Sequence, residues 1–327
     1  MKASLNICTI VVVALMGMAA SAGAQQPVRI PRIGVIPVAE MKLDAPEISA
    51  FEQGLRDLGY VKGKTIAIEY RLPEVGRPGA SDTLAAELVR RGVDVIVVGS
   101  GRAALAAKKA TTTIPIVIAL APDPVREGLV ASLARPGGNI TGLSFLSMDL
   151  APKQLELLKT ALPNATRIAV LWSGDIPAHP LLLKEMESVS RTLGITIQAL
   201  EVRSGDPPDN AFAEMAAKRA EGLIVLPNAP GFARRTSDLA LKHRLPTMYA
   251  ATAHADAGGL MAYAADSRDN WRRAATYVDK ILKGAKPGDL PVQQPTRFEF
   301  VVNLRTARKL GIKLPQAILS RADRVIE

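Results

Sequence analysis

Ten short apolar runs rich in β-branched residues recur along this chain, with helical patterns between them, and that rhythm leaves few folds open. The runs lie at 32–38, 65–70, 93–98, 115–120, 139–144, 167–172, 196–202, 222–226, 247–250 and 259–263. Between the first two, Ile48, Phe51, Leu55 and Leu58 recur at i, i+3, i+7 and i+10, which places them on one face of a helix. Asp44, with Glu47 three residues on and Pro46 between them, predicts that helix's N-terminal cap, and Gly59 its stop. Strands that alternate with helices predict an α/β protein, with parallel sheets covered on both faces.

The rhythm also repeats on a larger scale. RIGVI begins at Arg32 and RIAVL at Arg167, 135 positions later. Leu58-Gly59 and Leu193-Gly194 end helices at the same offset, GVDVIVV is answered by EGLIVLP, and Ile114-Pro115 by Leu245-Pro246. A period this long is no solenoid repeat. It predicts two α/β lobes of one topology, with a break at Pro163-Asn164. Ligands of open parallel sheets bind beyond the carboxyl ends of the strands. Two such lobes facing each other would therefore hold a small molecule in the cleft between them.

The residues expected at those strand ends are the candidate site. Gly99-Ser100-Gly101 leads into a helix whose free N–H groups attract an anion. Ser100 and Gly101 therefore read as a carboxylate site, as the turn of a G-x-G-x-x-A dinucleotide loop, or as a tight turn that needs glycine. Asp123, between Pro122 and Pro124, reads either as the partner of a ligand ammonium or as a cap for the segment from Val125. Asp266 has the same two readings, with the cap ahead, because Ser267 and Arg268 open a helix. Ser173, Asn228, Tyr249 and Tyr263 would close the pocket. Trp172 reads as a core residue, and Glu40 and Met41 as an exposed loop.

Other chemistries find little support. No G-x-S-x-G is present, and His179, His243 and His254 are widely separated, His243 reading as a surface residue. One cysteine and three histidines make a disulfide framework or a structural zinc site a poor fit. Aromatic residues make up 4% of the chain, too few for a base-stacking platform. The net charge is +10, but no block of five basic residues occurs, so the charge reads as a solvated surface. Lys2 precedes an apolar stretch ending in Ala22-Gly23-Ala24, the form of a cleavable signal peptide at 1–24. That predicts export, with no cysteine in the mature chain, and no cofactor carried from the cytosol.

The stretches LRDLGYVKGKTIAIEYR, IPIVIALAPDPVREGLVASLARPGGNITGLS, YVDKILKGAKPGDLPVQQPTRFEFVVNLRTARKLG and LPQAILSRADRVIE resemble the bacterial ABC-transporter substrate-binding proteins of the tryptophan/tyrosine-binder-like family. The resemblance covers residues 32–327, and ARPGGNITG and QPTRFEFVVNLRTA are its most specific parts. It implies a periplasmic binding protein type I fold with three crossings between two Rossmann-like lobes joined by a hinge. On that pattern the first lobe takes 25–143 plus 266–290, and the second 144–265 plus 291–327. It also implies a non-enzymatic periplasmic receptor that captures an amino acid or related small carboxylate for an ABC permease of the inner membrane. A sensor input with the same fold, and an oxidoreductase using the GSGRAA turn, are the alternatives. The loop 250–255 has no carboxylate where many relatives carry an acidic or aromatic residue.

Overall fold

The central strands of each half are apolar on both sides, so they are stable only where both faces of a sheet are covered. The computed structural model describes residues 29–327 apart from 39–40, 75–76, 78, 146–149, 175, 177–178, 204–205 and 227–231. The expected leader, Glu40 and Asn228 lie outside the described residues. The first half runs β1 (Arg32–Ile36), α1 (Pro46–Asp57), β2 (Ala67–Tyr70), α2 (Ala80–Arg90), β3 (Val95–Val98), α3 (Gly101–Ala110), β4 (Ile116–Ile118) and β5 (Ile140–Gly142). Its five strands form one parallel sheet in the order β2-β1-β3-β4-β5.

The chain continues with α4 (Leu150–Ala161), β6 (Arg167–Trp172), α5 (His179–Thr192), β7 (Thr196–Glu201), α6 (Asp209–Ala217) and β8 (Gly222–Val225). Then come α7 (Phe232–Lys242), β9 (Thr247–Tyr249), α8 (Ala253–Asp256), β10 (Met261–Ala265) and α9 (Ser267–Leu282). The tail adds β11 (Phe298–Asn303), α10 (Leu304–Leu310), α11 (Gln316–Leu319) and β12 (Arg324–Ile326). The second sheet has the order β12-β11-β10-β9-β8-β6-β7. Read from β7, its first five strands repeat the order of the first sheet. All ten expected runs are strands; β11 and β12 are additions at one edge. One departure from an all-parallel pattern follows, since β11 pairs antiparallel with β10, Tyr263 opposite Phe300.

Each sheet divides its side chains between two apolar layers, as a period of two requires. In the first sheet Val95 and Val97 face the layer of α1 and α9, and Ile96 and Val98 face that of α2 and α3. In the second, Ile168 and Val170 face α4 and α5, and Ala169 and Leu171 face α6. These four layers stay separate within Pro31–Glu327, which is one compact unit.

Helix α9 follows a strand of the second sheet but packs in the first. Trp271 is fully buried there, edge-on to Phe51 with ring centroids 6.0 Å apart. Gly54 lets α1 and α9 approach, for a Cβ at that position would lie 2.7 Å from the Arg272 carbonyl oxygen. The α1 terminus differs from expectation. Pro46 does open the helix, but Ala45 is its N-cap and no side chain caps it. Glu47 instead accepts a hydrogen bond from Ser267 Oγ at 2.8 Å, which ties the starts of α1 and α9. At the other end Gly59 takes a positive φ of 89° and stops the helix as expected.

Because the obstacle at Gly54 is backbone, Gly54→Val is expected to cost about 2 kcal/mol. The melting temperature should fall by roughly 4–8 °C, measured by circular dichroism. An unchanged Tm would show that the two helices can separate freely.

Candidate functional site

The chain passes between the sheets three times: after β5, after β10 and before β11. Strands β5 and β10 are left at their carboxyl ends. Because β11 is antiparallel to β10, it is entered at that same edge. All three passages therefore lie at one edge of each sheet, and the carboxyl ends of both sets of parallel strands face each other across them. Backbone hydrogen bonds hold the passages together: Gln293 N donates to Gly142 O at 3.0 Å, and Ser144 N to Gln293 O at 2.9 Å. The buried Asn270 of α9 donates Nδ2 to Ser144 O at 3.1 Å.

On the first sheet, Ser100 is the N-cap of α3, its Oγ accepting from Ala103 N at 3.2 Å. The hydroxyl proton stays available for donation. Gly101 is buried, and another acid of the chain lies against it. A Cβ on Gly101 would stand 2.0 Å from Glu127 Oε2. Asp123 caps the turn that carries Glu127. Its Oδ1 accepts from Val125 N at 3.2 Å and Arg126 N at 3.1 Å, and its Oδ2 lies 3.2 Å from Arg126 Nε. Glu127 Oε2 is buried with no hydrogen-bond partner among the described residues. Burial pushes the carboxyl up to about 7, offset by the Asp123 backbone N–H and reinforced by the Asp123 charge.

On the second sheet, Ser173 is buried, and its N–H donates to Nδ1 of the equally buried His179 at 2.9 Å. Tyr249 is a correction. Its ring is fully buried in the α6–α7 layer, and its hydroxyl accepts from Ser237 Oγ at 3.1 Å. It also stacks on His254, with centroids 4.8 Å apart. A side chain so enclosed packs the core and does not close a pocket. His243 is not a surface residue either, being half-buried with its ring 5.6 Å from that of Phe212. Tyr263 is half-buried, stacked on Phe298 at 5.9 Å. Asp266 caps α9, accepting from Arg268 N at 3.0 Å and Asp269 N at 3.3 Å. Among the described residues no cluster of three His, Cys, Asp or Glu side chains could hold a metal, and no helix is long and apolar enough to cross a membrane.

Residues 33–326 match the family described as ABC transporter substrate binding protein. The chain belongs to this family. It is similar to a tyrosine-binding protein of Clostridioides difficile (strain R20291), at 27% identity over 270 residues, 80% of this chain and 76% of that one. Among solved structures, a conserved domain protein of Vibrio cholerae shares 29% identity at a TM-score of 0.81, covering 91% of this chain and 100% of that one. The ABC domain of a Streptococcus pneumonia protein in complex with L-Trp shares 28% at 0.80, covering 90% and 99%. As a substrate-binding protein of ABC-type transport, this chain has the two-lobed periplasmic binding protein type I fold.

In this substrate-binding protein the candidate residue that sequence reasoning missed is Glu127. The only available signal was a further acid on the strand-end loop of Asp123, four positions on. Nothing in the sequence tells that it folds back onto Gly101.

The buried carboxyl gives a pH signature. In the folded state it holds its proton to about 7, against 4.5 ordinarily, so the native state binds more protons between those values. Its contribution to stability falls as pH rises through that window. His254 acts in the opposite sense. Burial holds its imidazole down to about 4, against 6.5 ordinarily, so stability is lost as pH falls between those values. Comparing Glu127→Gln with the wild type cancels the histidine. The stability of the variant relative to the wild type is expected to climb from pH 4.5 to about 7 and then level, read from urea midpoints. A flat difference would show a solvated carboxyl.

Proposed function

We propose that this substrate-binding protein takes up a small molecule, an amino acid or related small carboxylate, between its lobes and delivers it chemically unchanged to an ABC permease of the inner membrane. The observation that carries the reading is the placement of all three crossings at the carboxyl edges of both sheets. Where strand ends of two lobes oppose each other, a hinge rotation can bury a ligand between them. The reading takes residues 1–24 as a cleaved leader and the periplasm as the working compartment. It assigns 25–143 plus 266–290 to the first lobe and 144–265 plus 291–327 to the second.

The amino-acid part of the proposal draws on the relatives, one named for tyrosine binding and one solved with L-Trp. On this reading the Ser100 hydroxyl, Asp123 and Glu127 line the first wall. Ser173, Tyr263 and Asp266 line the second wall and the hinge, and Asn228 is retained as a candidate on its sequence alone. Neither carboxylate that serves as a cap is lost to binding, since each keeps lone pairs beyond its cap bonds. Binding would shift the hinge equilibrium toward the closed state by as much as the ligand prefers it.

Native mass spectrometry of the purified mature protein, followed by a thermal-shift screen of amino acids and small carboxylates, tests this. A true ligand at about 100 times its Kd should add about 2.7 kcal/mol and raise the Tm by roughly 5–11 °C. Conversion of a bound compound into a product by the pure protein would overturn the reading.

A further inference from the structure

Two side chains flank the Ser100 turn, and each has a buried polar atom with no hydrogen-bond partner among the described residues: Trp271 Nε1 and Glu127 Oε2. The glycines on either side of Ser100 make room for them. A Cβ on Gly99 would lie 2.8 Å from the Trp271 ring, and one on Gly101 2.0 Å from the Glu127 carboxyl. The start of α3 would ordinarily draw an anion from solution, but here an acid of the chain already lies against it.

The neighbouring cations do not serve that acid. Arg126 pairs with Asp123, and Lys108 Nζ donates to the Gly128 carbonyl at 2.5 Å. Arg102, next to Gly101 on α3, is exposed to solvent, and among the described residues the charge that acts on Glu127 is the negative one of Asp123. A ligand carboxylate at this turn would meet the Asp123 charge beside an acid that has no positive charge to offer it, with repulsion strengthened by burial. A protonated nitrogen would meet a carboxyl able to ionise toward it.

Resting on the cleft as the ligand site, we propose that Glu127 takes the cationic nitrogen of the ligand, so the substrate class is an amine or guanidine and not a plain carboxylate. Binding then ionises Glu127. The ligand nitrogen stays protonated, the carboxyl proton leaves for solvent, and the new hydrogen bond joins two charges in a partly dry site. Charge-assisted bonds of this kind are worth roughly a tenfold to hundredfold change in affinity.

The test is a thermal-shift screen of the full mature chain with three matched sets: the twenty common amino acids, the primary amines left by their decarboxylation, and their des-amino carboxylic acids. Hits are then taken to calorimetry with wild type and Glu127→Gln. Stabilisation is expected from amine-bearing compounds, with at least a tenfold loss for the des-amino partner and for E127Q. Wild-type titrations in buffers of different ionisation enthalpy should show proton release below pH 7, a readout that needs no variant to fold, and E127Q should lack it. If des-amino acids bind as well as amino acids, or E127Q binds as tightly with no change in proton release, the assignment of Glu127 is wrong while solute binding stands. If no compound of any set stabilises the protein, both the assignment and the amino-acid reading fall.

Discussion

Gln293 accepts from Ser144 and donates to Gly142, and on this short backbone seam the two-lobed arrangement depends. It aligns the first and third passages between the sheets, and Asn270 joins the second through the Ser144 carbonyl. Three peptide segments lying side by side at one edge resist shear and splaying but leave rotation about their common line. Each lobe can keep its apolar layers whole during such a rotation, because Val292, just before the seam, still packs in a layer of the first sheet and, among the described residues, no layer runs past it. The cost of movement is then confined to a few backbone torsions, the usual construction of a hinge.

Helix α9 adds a second constraint. The chain leaves β10 in one lobe and packs α9 in the other, so the first lobe is complete only with a segment that follows most of the second in sequence. Trp271, Phe51 and the Gly54 close approach hold that returned helix, while the Ser267–Glu47 bond fixes its first turn. A helix exchanged between lobes therefore joins their stabilities, though the two sheets share no strands.

Much of this was legible in the sequence, for physical reasons. Fully buried parallel strands must be apolar on both faces, so the ten runs announce themselves, and the 135-residue offset shows two copies of one strand order. The strands β11 and β12 escaped, β12 being three residues long and mixed in burial, and β11 lying beyond the repeat. The α1 cap also escaped, since a Glu in the first helical turn can bond outward as well as backward. Glu47 bonded to Ser267, 220 positions away, which no local pattern encodes. Tyr249 misled because a strand-end tyrosine can turn either way. Its neighbour Met248 faces the α4–α5 layer, so the alternation turns the tyrosine to the opposite layer, where Ser237 satisfies its hydroxyl.

The ambiguity of strand-end acids and hydroxyls has a common source. In α/β folds, the carboxyl end of a strand and the amino end of the next helix are the same short loop, so residues placed to meet a ligand are also placed to cap a helix or turn. Ser100, Asp123 and Asp266 all make cap bonds. Capping consumes part of their capacity and fixes their orientation, which makes them good frames for a site and poor markers of its specificity. Specificity has to come from polar groups that local backbone does not satisfy. Leaving such a group buried costs a folded protein about 1–3 kcal/mol, a burden easily shed by a small substitution unless a bound partner offsets it. Among the described residues of the first lobe, Glu127 Oε2 and Trp271 Nε1 are two such atoms, on either side of the one turn whose glycines admit them both.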